Sequence, residues 1–477
     1  MPFNSLSFLC FFVLVTIVYY CVAVQSMRNI LLLGSSYVFY AYGNRFNLLC
    51  LLLITLITWY FTVLLDRKRE KVILCTGIGL ILLLLLATKY SDFLASQLSL
   101  ESAYEPKLLN IFILPMGISF YSLQAISLLV DRYQKKYTDQ ISLKQVSLFL
   151  SFFPQAVAGP VHRAGELIPQ FQWKNNFSAV NIFLGVKTML WGYFLKLIVA
   201  DKISLVVTPV FDSYVKYDGF SLFMATLLYS LEIYFDFWGY SLIAIGVGKV
   251  LGYTININFV FPYAARSFRD FWHRWHITLS RWMRDYVYLP LGGRNKRYYI
   301  LFATSIFVTF LISGIWHGVS FNFILWGIVH AALYLSEDGI QRLLRYRSWT
   351  KASEKMRKVL QLLWFPAFFI LISFTWLIFR TEQMSDLLNI INRIINVKAW
   401  AFQNAQAHYL TIVNLSYLCI VIVAWLFVNT RAVTLFTSQV PANYKGVIRD
   451  SIWISTCLIL IILLGDIGGQ EFLYFNF

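Results

Sequence analysis

The amino-acid sequence predicts an all-α, polytopic integral membrane protein. It carries roughly 10–13 transmembrane or re-entrant helices and one cytoplasmic amphipathic helix lying in the interface. Three observations lead there. Of 477 residues, 59% are hydrophobic and only 13% charged, where a soluble domain carries about 25% charged residues. The mean hydropathy is +0.65. The apolar residues come in long blocks rather than in alternation, and a bilayer-spanning helix needs roughly 20 of them in a row.

Taken in order, the candidate spans fall near 7–24, 29–43, 47–65, 72–89, 109–129, 181–201, 220–250, 299–318, 321–337, 359–380, 410–428 and 450–465. We treat 1–477 as a single membrane domain: amino-terminal spans over 1–108, a core over 109–380 and carboxyl-terminal spans over 381–477. The first block is read as a span and not as a cleavable signal, because residues 1–6 contain no Lys or Arg and a signal peptide begins with a positive region. No internal repeat is visible, which disfavours folds built from inverted repeats.

The net charge of +17, from 40 Lys and Arg against 23 Asp and Glu, admits nucleic-acid binding in principle. The charge sits in short clusters between apolar blocks, so positive-inside loops explain it, and the expected partner is the lipid bilayer and not nucleic acid. Placing Arg67-Lys68-Arg69-Glu70-Lys71 in the cytoplasm puts the amino terminus outside, 90–107 outside, and the loop from Arg132 to Lys144 inside. The six cysteines, at 10, 21, 50, 75, 419 and 457, form no CxxC pair. They are read as small core hydrophobes.

Two segments break the simple pattern. Val146 to Gln155 is apolar but too short to cross, and Pro154, Gly159 and Pro160 interrupt its end and the residues beyond it. Irregular backbone at membrane depth survives only when buried in protein or lining a cavity. The block is therefore either a surface loop or part of a cavity wall, and the principle favours the wall. The segment 266–297 reads as one helix. Phe268, Phe271, Trp272, Trp275, Leu279, Trp282 and Met283 lie on one arc, and Arg266, Arg269, Arg274, Arg281 and Arg284 on the opposite one. That is the pattern of a helix lying in the interface. His276 falls at the boundary, and Pro290-Leu-Gly-Gly293 ends the helix.

Six histidines exist: His162, His273, His276, His317, His330 and His408. Ionisable residues inside apolar spans are functional candidates by default. His317 is the sharpest of them. It lies in a mostly apolar run that begins at Tyr298, with Gly314 and Gly318 beside it. Those small residues would leave room for a substrate next to a base suited to taking a hydroxyl proton. The alternative is a structural histidine bonded to a backbone carbonyl or to Ser313. A straight helix from Tyr298 would carry His317 roughly 28 Å along its axis; a tilted or broken one would place it deeper. His273 and His276 have i, i+3 spacing, but no nearby acid completes a metal set and HExxH is absent, so no metal is expected. Glu232 and Asp236 share a helix face. They could pair with an arginine of the cationic helix or orient a histidine, and a buried structural ion pair is preferred. No GxSxG, P-loop or GxGxxG is present, so serine-hydrolase, nucleotide-hydrolysis and Rossmann readings have no support.

Residues 261–293, FPYAARSFRDFWHRWHITLSRWMRDYVYLPLGG, closely resemble the signature of the bacterial membrane-bound O-acyltransferases, in their alginate O-acetyltransferase branch. Four further segments match in order: Leu114-Pro-Met-Gly-Ile-Ser-Phe-Tyr121, Phe153-Pro-Gln-Ala-Val-Ala-Gly-Pro160, Ser313-Gly-Ile-Trp-His-Gly318, and the ending Phe472-Leu-Tyr-Phe-Asn-Phe477. His273 stands where the branch usually has Arg, and His162 where a non-histidine is common. The resemblance implies an acyl group, acetyl before others, moving from a cytoplasmic thioester to a hydroxyl handled outside the inner membrane. The donor would be acetyl-coenzyme A or an acyl carrier. The acceptor would be a cell-surface polysaccharide, alginate-like or peptidoglycan, reached with a periplasmic acyltransferase or acceptor-handling protein as partner. It makes His317 the essential histidine and His276 the second one. Arg269, Arg274, Arg281, Arg284, Trp275, Trp316 and Asn322 become candidates for binding the donor or lining its tunnel. Two other readings stay open: a transporter of polysaccharide or acyl donor, and a scaffold for a periplasmic acyltransferase.

Overall fold

The computed structural model describes residues 1–89, 115–155, 159–293, 298–318, 320–346, 354–396, 444–465 and 472–473. Among them every element is helical. In chain order they are α1 (Leu6–Cys21), α2 (Gln25–Ala41), α3 (Arg45–Arg67), α4 (Lys71–Lys89), α5 (Ile118–Tyr133), α6 (Leu143–Ser151), α7 (Ala164–Leu167) and α8 (Ala179–Tyr193). There follow α9 (Asp201–Asp212), α10 (Gly219–Val250), α11 (Phe268–Arg274), α12 (Ile277–Met283), α13 (Tyr299–His317), α14 (Phe321–Tyr346), α15 (Glu354–Arg380), α16 (Met384–Ile395) and α17 (Tyr444–Leu464). Every expected span that lies among the described residues falls on a helix. Residues 109–114 and the span at 410–428, with His408 and Cys419, lie outside them. Among the described residues five stretches are long and apolar enough to cross a membrane: Arg45–Arg67, Lys71–Lys89, Gly219–Val250, Tyr299–His317 and Gly446–Leu464. Leu6–Cys21 and Trp364–Arg380 are shorter apolar helices.

The chain divides into two compact units. One comprises Met1–Leu190, Tyr240–Ile257 and Ile467–Phe475; the other comprises Trp191–Gly239, Asn258–Asp466 and Asn476–Phe477.

In the first unit, α5 is the central helix. It packs against α3, α4 and α6, and all but three of its residues are buried. It starts where Gly117 turns left-handed at φ 74°, a conformation glycine takes without strain. Its far end is tied to that of α3: the Arg132 guanidinium donates to both carboxylate oxygens of Asp66, at 3.0 and 2.5 Å. Arg69 donates to the Tyr133 carbonyl. The two basic loops that the charge count put on one face, after Arg67 and after Arg132, are thus bonded together.

Val146 through Gln155 and Gly159 through His162 are buried, so the surface-loop alternative falls for these residues. His162 is held on both sides. The Asn256 backbone N–H donates to Nε2 at 3.0 Å, which leaves the proton on Nδ1, 3.0 Å from the Pro160 carbonyl. The departure from the branch pattern at this position is therefore a structural histidine with a fixed tautomer. Burial pushes its pKa down from 6.5, partly opposed by Glu166. A depressed histidine pKa stabilises the fold above the unfolded value and loses that stability as pH falls below about 6.5. Purified protein is expected to lose thermal stability on acidification through that range. His162→Gln should flatten this acid limb; an identical acid limb in the variant would overturn the assignment.

In the second unit, α13 and α14 form an antiparallel hairpin, with α15 against α14. A π-helical stretch, Phe194–Ala200, packs against α9 and α17.

The long interfacial helix expected over 266–290 does not run unbroken. It is split into α11 and α12 at His276, which adopts φ 42° and ψ 53°. The cause is a neighbouring segment that takes over the backbone bonds. Val260 N–H donates to the Arg274 carbonyl at 3.0 Å, and Ile277 N–H donates to the Asn258 carbonyl at 2.9 Å. The apolar residues of the expected arc are buried, Trp272 being only half so, and so are His276, Ile277 and Thr278 at the break, while Arg266, Arg281 and Arg284 remain exposed. Arg294, Lys296 and Arg297 lie outside the described residues.

Candidate active site

All nine candidate residues belong to the second unit. His317 is the last residue of the unbroken helix α13, because Gly318 after it turns to extended backbone at φ −168°. The imidazole is 5% exposed. Three aromatic rings meet it edge to face: Trp316 at 4.9 Å, Trp326 at 5.2 Å and Phe379 at 5.2 Å. Rings in this arrangement fix the plane of the imidazole.

The glycines beside His317 do not make room for a substrate, contrary to expectation. A side chain at Gly314 would strike the Phe323 carbonyl, and one at Gly318 would strike the Phe323 ring. Gly327 on α14 likewise faces the Phe310 carbonyl at 2.5 Å from an added Cβ. The space is spent on close approach of the two helices of the hairpin, which is what seats Trp326 on His317.

Asn322, on the first turn of α14, donates to the Thr381 carbonyl at 2.6 Å and to the Thr381 hydroxyl at 3.0 Å. This bond holds the end of α15, and with it Phe379, against the histidine. Asn322 Oδ1 has no partner among the described residues.

His276 is 1% exposed. Phe237 of α10 meets its ring edge to face at 4.7 Å, and Trp316 lies 6.4 Å away. The two motif histidines, far apart in the chain, therefore pack on the same indole. Burial pushes the His276 pKa down from 6.5 to about 3, so the ring is neutral at physiological pH. A left-handed residue other than glycine costs about 1–2 kcal/mol, and a β-branched one is a genuine outlier there. His276→Gly relieves this strain but empties a packed site, as does His276→Ala, so both should lose activity and stability, with the glycine variant melting higher than the alanine variant. Equal stability of the two variants would show that this backbone carries no strain.

The candidate arginines are largely paired within the unit. Arg269 donates to the Tyr334 hydroxyl at 2.9 Å and to Asp338 at 3.0 Å. Arg274 pairs with Asp270 at 2.7 Å and Arg284 with Asp285 at 2.7 Å. Arg281 is exposed. Trp275 is buried against Phe259, Phe271 and Trp376, one layer from His276.

Asp236 of α10 takes part in a buried ion pair, the preferred reading of the acids on this helix. Asp236 pairs with the Lys196 ammonium, at 2.6 Å, and Asp201 bonds the same ammonium at 2.8 Å. The π-helical turn makes this possible: Asp201 N–H bonds the Lys196 carbonyl five residues back, so side chains at that spacing meet. Gly239, three residues beyond Asp236, lets the turn approach, since an added Cβ would lie 2.8 Å from the Gly192 carbonyl.

Among the described residues no group of three or more His, Cys, Asp or Glu could hold a metal ion.

Comparison with known proteins gives the family of the chain. The family whose model matches the chain is described as the membrane-bound O-acyltransferase family, over residues 72–380. The chain is 31% identical over 440 residues to a Pseudomonas putida protein named "Probable alginate O-acetylase", covering 90% of this chain and 88% of that one. It is 33% identical to the peptidoglycan O-acetyltransferase of Helicobacter pylori, covering 65% and 62%. It is 27% identical to the teichoic acid D-alanyltransferase of Bacillus subtilis, covering 49% and 61%.

Proposed function

The chain belongs to the membrane-bound O-acyltransferase family, and on that premise we propose that it passes an acetyl group from a cytoplasmic thioester across the inner membrane to a cell-surface polysaccharide. In this reading neutral His317 takes the proton of an acceptor hydroxyl as its oxygen attacks the thioester carbonyl. The carbon–sulfur bond breaks, and the departing thiolate receives that proton as the free thiol. His276 positions or polarises a reactant across Trp316. One observation carries the reading: two buried histidines from separate motifs, both packed on the Trp316 ring.

The donor is acetyl-coenzyme A or an acetylated carrier, approaching from the cytoplasmic face that bears the basic residues of 266–297. The amino terminus lies outside. An acetyl ester, rather than D-alanyl, is supported by the relatives that cover most of the chain. An alginate-like exopolysaccharide and peptidoglycan are both served by such relatives, and a periplasmic acyltransferase or acceptor-handling protein completes the transfer.

The test is the O-acetyl content of extracellular and wall polymers in wild type, a deletion strain and His317→Ala at matched protein level. The polymer that loses ester in both mutants is the acceptor. Loss in the deletion alone would favour a conduit or scaffold and remove the general-base role.

A further inference from the structure

His330 takes no part in the chemistry above. It lies on α14, fully buried at 0% exposure, and neither ring nitrogen has a hydrogen-bond partner among the described residues. A neutral imidazole always presents one N–H donor and one acceptor. Burying both unmet is costly, and native interiors nearly always satisfy them.

Two neighbours share the condition. Trp272 and Trp326 bury indole Nε1 atoms that also lack a partner among the described residues. The three rings form a closed triangle of edge-to-face contacts, with centroids 4.6 Å apart for His330–Trp326, 5.1 Å for His330–Trp272 and 5.7 Å for Trp272–Trp326. Phe310 stacks on His330 at 6.0 Å. Three donors and one acceptor, all neutral, are thus gathered within an aromatic cluster.

The cluster occupies a definite place along α14. Asn322, Trp326, His330, Tyr334 and Asp338 recur every fourth residue, so each neighbours the next along a stripe that winds about 40° around the helix per step. Asn322 and Trp326 stand at the His317 end, and Tyr334 and Asp338 hold Arg269 at the other. The stripe spans roughly 24 Å along the axis at the helical rise per residue. His330 is midway.

We propose that His330, with the indole N–H groups of Trp272 and Trp326, forms a binding subsite for an amide in the arm of the acyl-thioester donor. A secondary amide is planar and neutral, and it carries a carbonyl acceptor beside an N–H donor. The imidazole can answer both, the indoles add donors to the carbonyl, and the ring faces cover the apolar methylenes on either side. A phosphate would instead call for cations, and the triangle supplies none of its own. The proposal rests on the reading that a thioester donor reaches His317 from the Arg269 end.

The experiment uses the full-length protein in detergent and measures binding without turnover. The probes are acetyl-pantetheine, which has amides and no phosphate, and an alkyl thioacetate of equal length. Wild type is expected to bind the amide-bearing probe about 10-fold more tightly, the worth of one or two hydrogen bonds. His330→Phe should abolish that preference without weakening the alkyl probe. His330→Gln should keep most of the preference, and Trp272→Phe, which retains an aromatic ring but not the N–H, should reduce it. An unchanged preference in His330→Phe, equal weakening of both probes in every variant, or no preference in wild type would each overturn the proposal. Polymer O-acetylation in the His317→Ala strain tests the functional reading separately, because the binding preference is measured whether or not transfer occurs.

Discussion

Replacing His317 by alanine is expected to lower acyl transfer by at least about 100-fold, since a positioned general base contributes roughly 10²–10⁴-fold. The effect should fall on turnover and not on folding. His317 is the last residue of α13, and the hairpin is held elsewhere: by the glycine contacts at Gly314 and Gly327 and by the bonds from Asn322 to Thr381. His317→Gln is the sharper variant. It keeps a polar side chain within the ring of Trp316, Trp326 and Phe379 but has no basic nitrogen. Polymer-bound acetyl ester at matched protein level checks both variants, with melting temperature as the control for structure. A glutamine variant that acetylates like wild type would show that His317 is only a packed, hydrogen-bonded core residue.

The largest effect on stability is expected at Lys196. Its ammonium is the cation between Asp201 and Asp236, and the three side chains are 2–8% exposed. Removing one partner of a buried ion pair typically costs about 3–5 kcal/mol, because the other charge is left uncompensated. Here two carboxylates would be left, with the buried Glu232 one turn from Asp236. Lys196→Met preserves shape and removes the charge. It should sharply reduce the yield of monodisperse protein and the melting temperature of what remains. Adding Asp201→Asn and Asp236→Asn should recover much of the loss by removing the unpaired charge. A single variant as stable as wild type would mean that the cluster is hydrated or protonated and not a true ion pair.

The fold class was legible from local properties. A long apolar block becomes a helix wherever it lies, because inside a bilayer the backbone must bond to itself. The long blocks therefore map to helices α1 to α5, α8, α10, α13 to α15 and α17 with no knowledge of their partners. The buried character of 146–155 came from the same rule. His317 and His276 were legible for a different reason. Histidine is rare in apolar surroundings, and here it stands inside long motifs.

The local readings that failed involve partners distant in the chain. Helical periodicity over 266–290 found the apolar residues that are buried, but it missed the burial of Ile277 and Thr278 and was wrong about continuity, since Asn258 and Val260 take the backbone bonds on either side of His276. Gly314 and Gly318 looked like space for a substrate, but in a helix hairpin a missing Cβ serves the approach of the opposite backbone. The partner of Asp236 could have been any cation, and only a π-helical turn, which no local propensity signals, brings Lys196 within reach. The i, i+4 stripe through His330 could be read in the sequence of α14, yet nothing there showed that its nitrogens lack partners. The helices, their apolar blocks and the two motif histidines depend on residues within one or two turns, so the order of amino acids was enough to find them. The break at His276, the meeting of both histidines on Trp316 and the charge pairing at Lys196 emerged only in the folded chain, because each requires groups that chain connectivity does not place together.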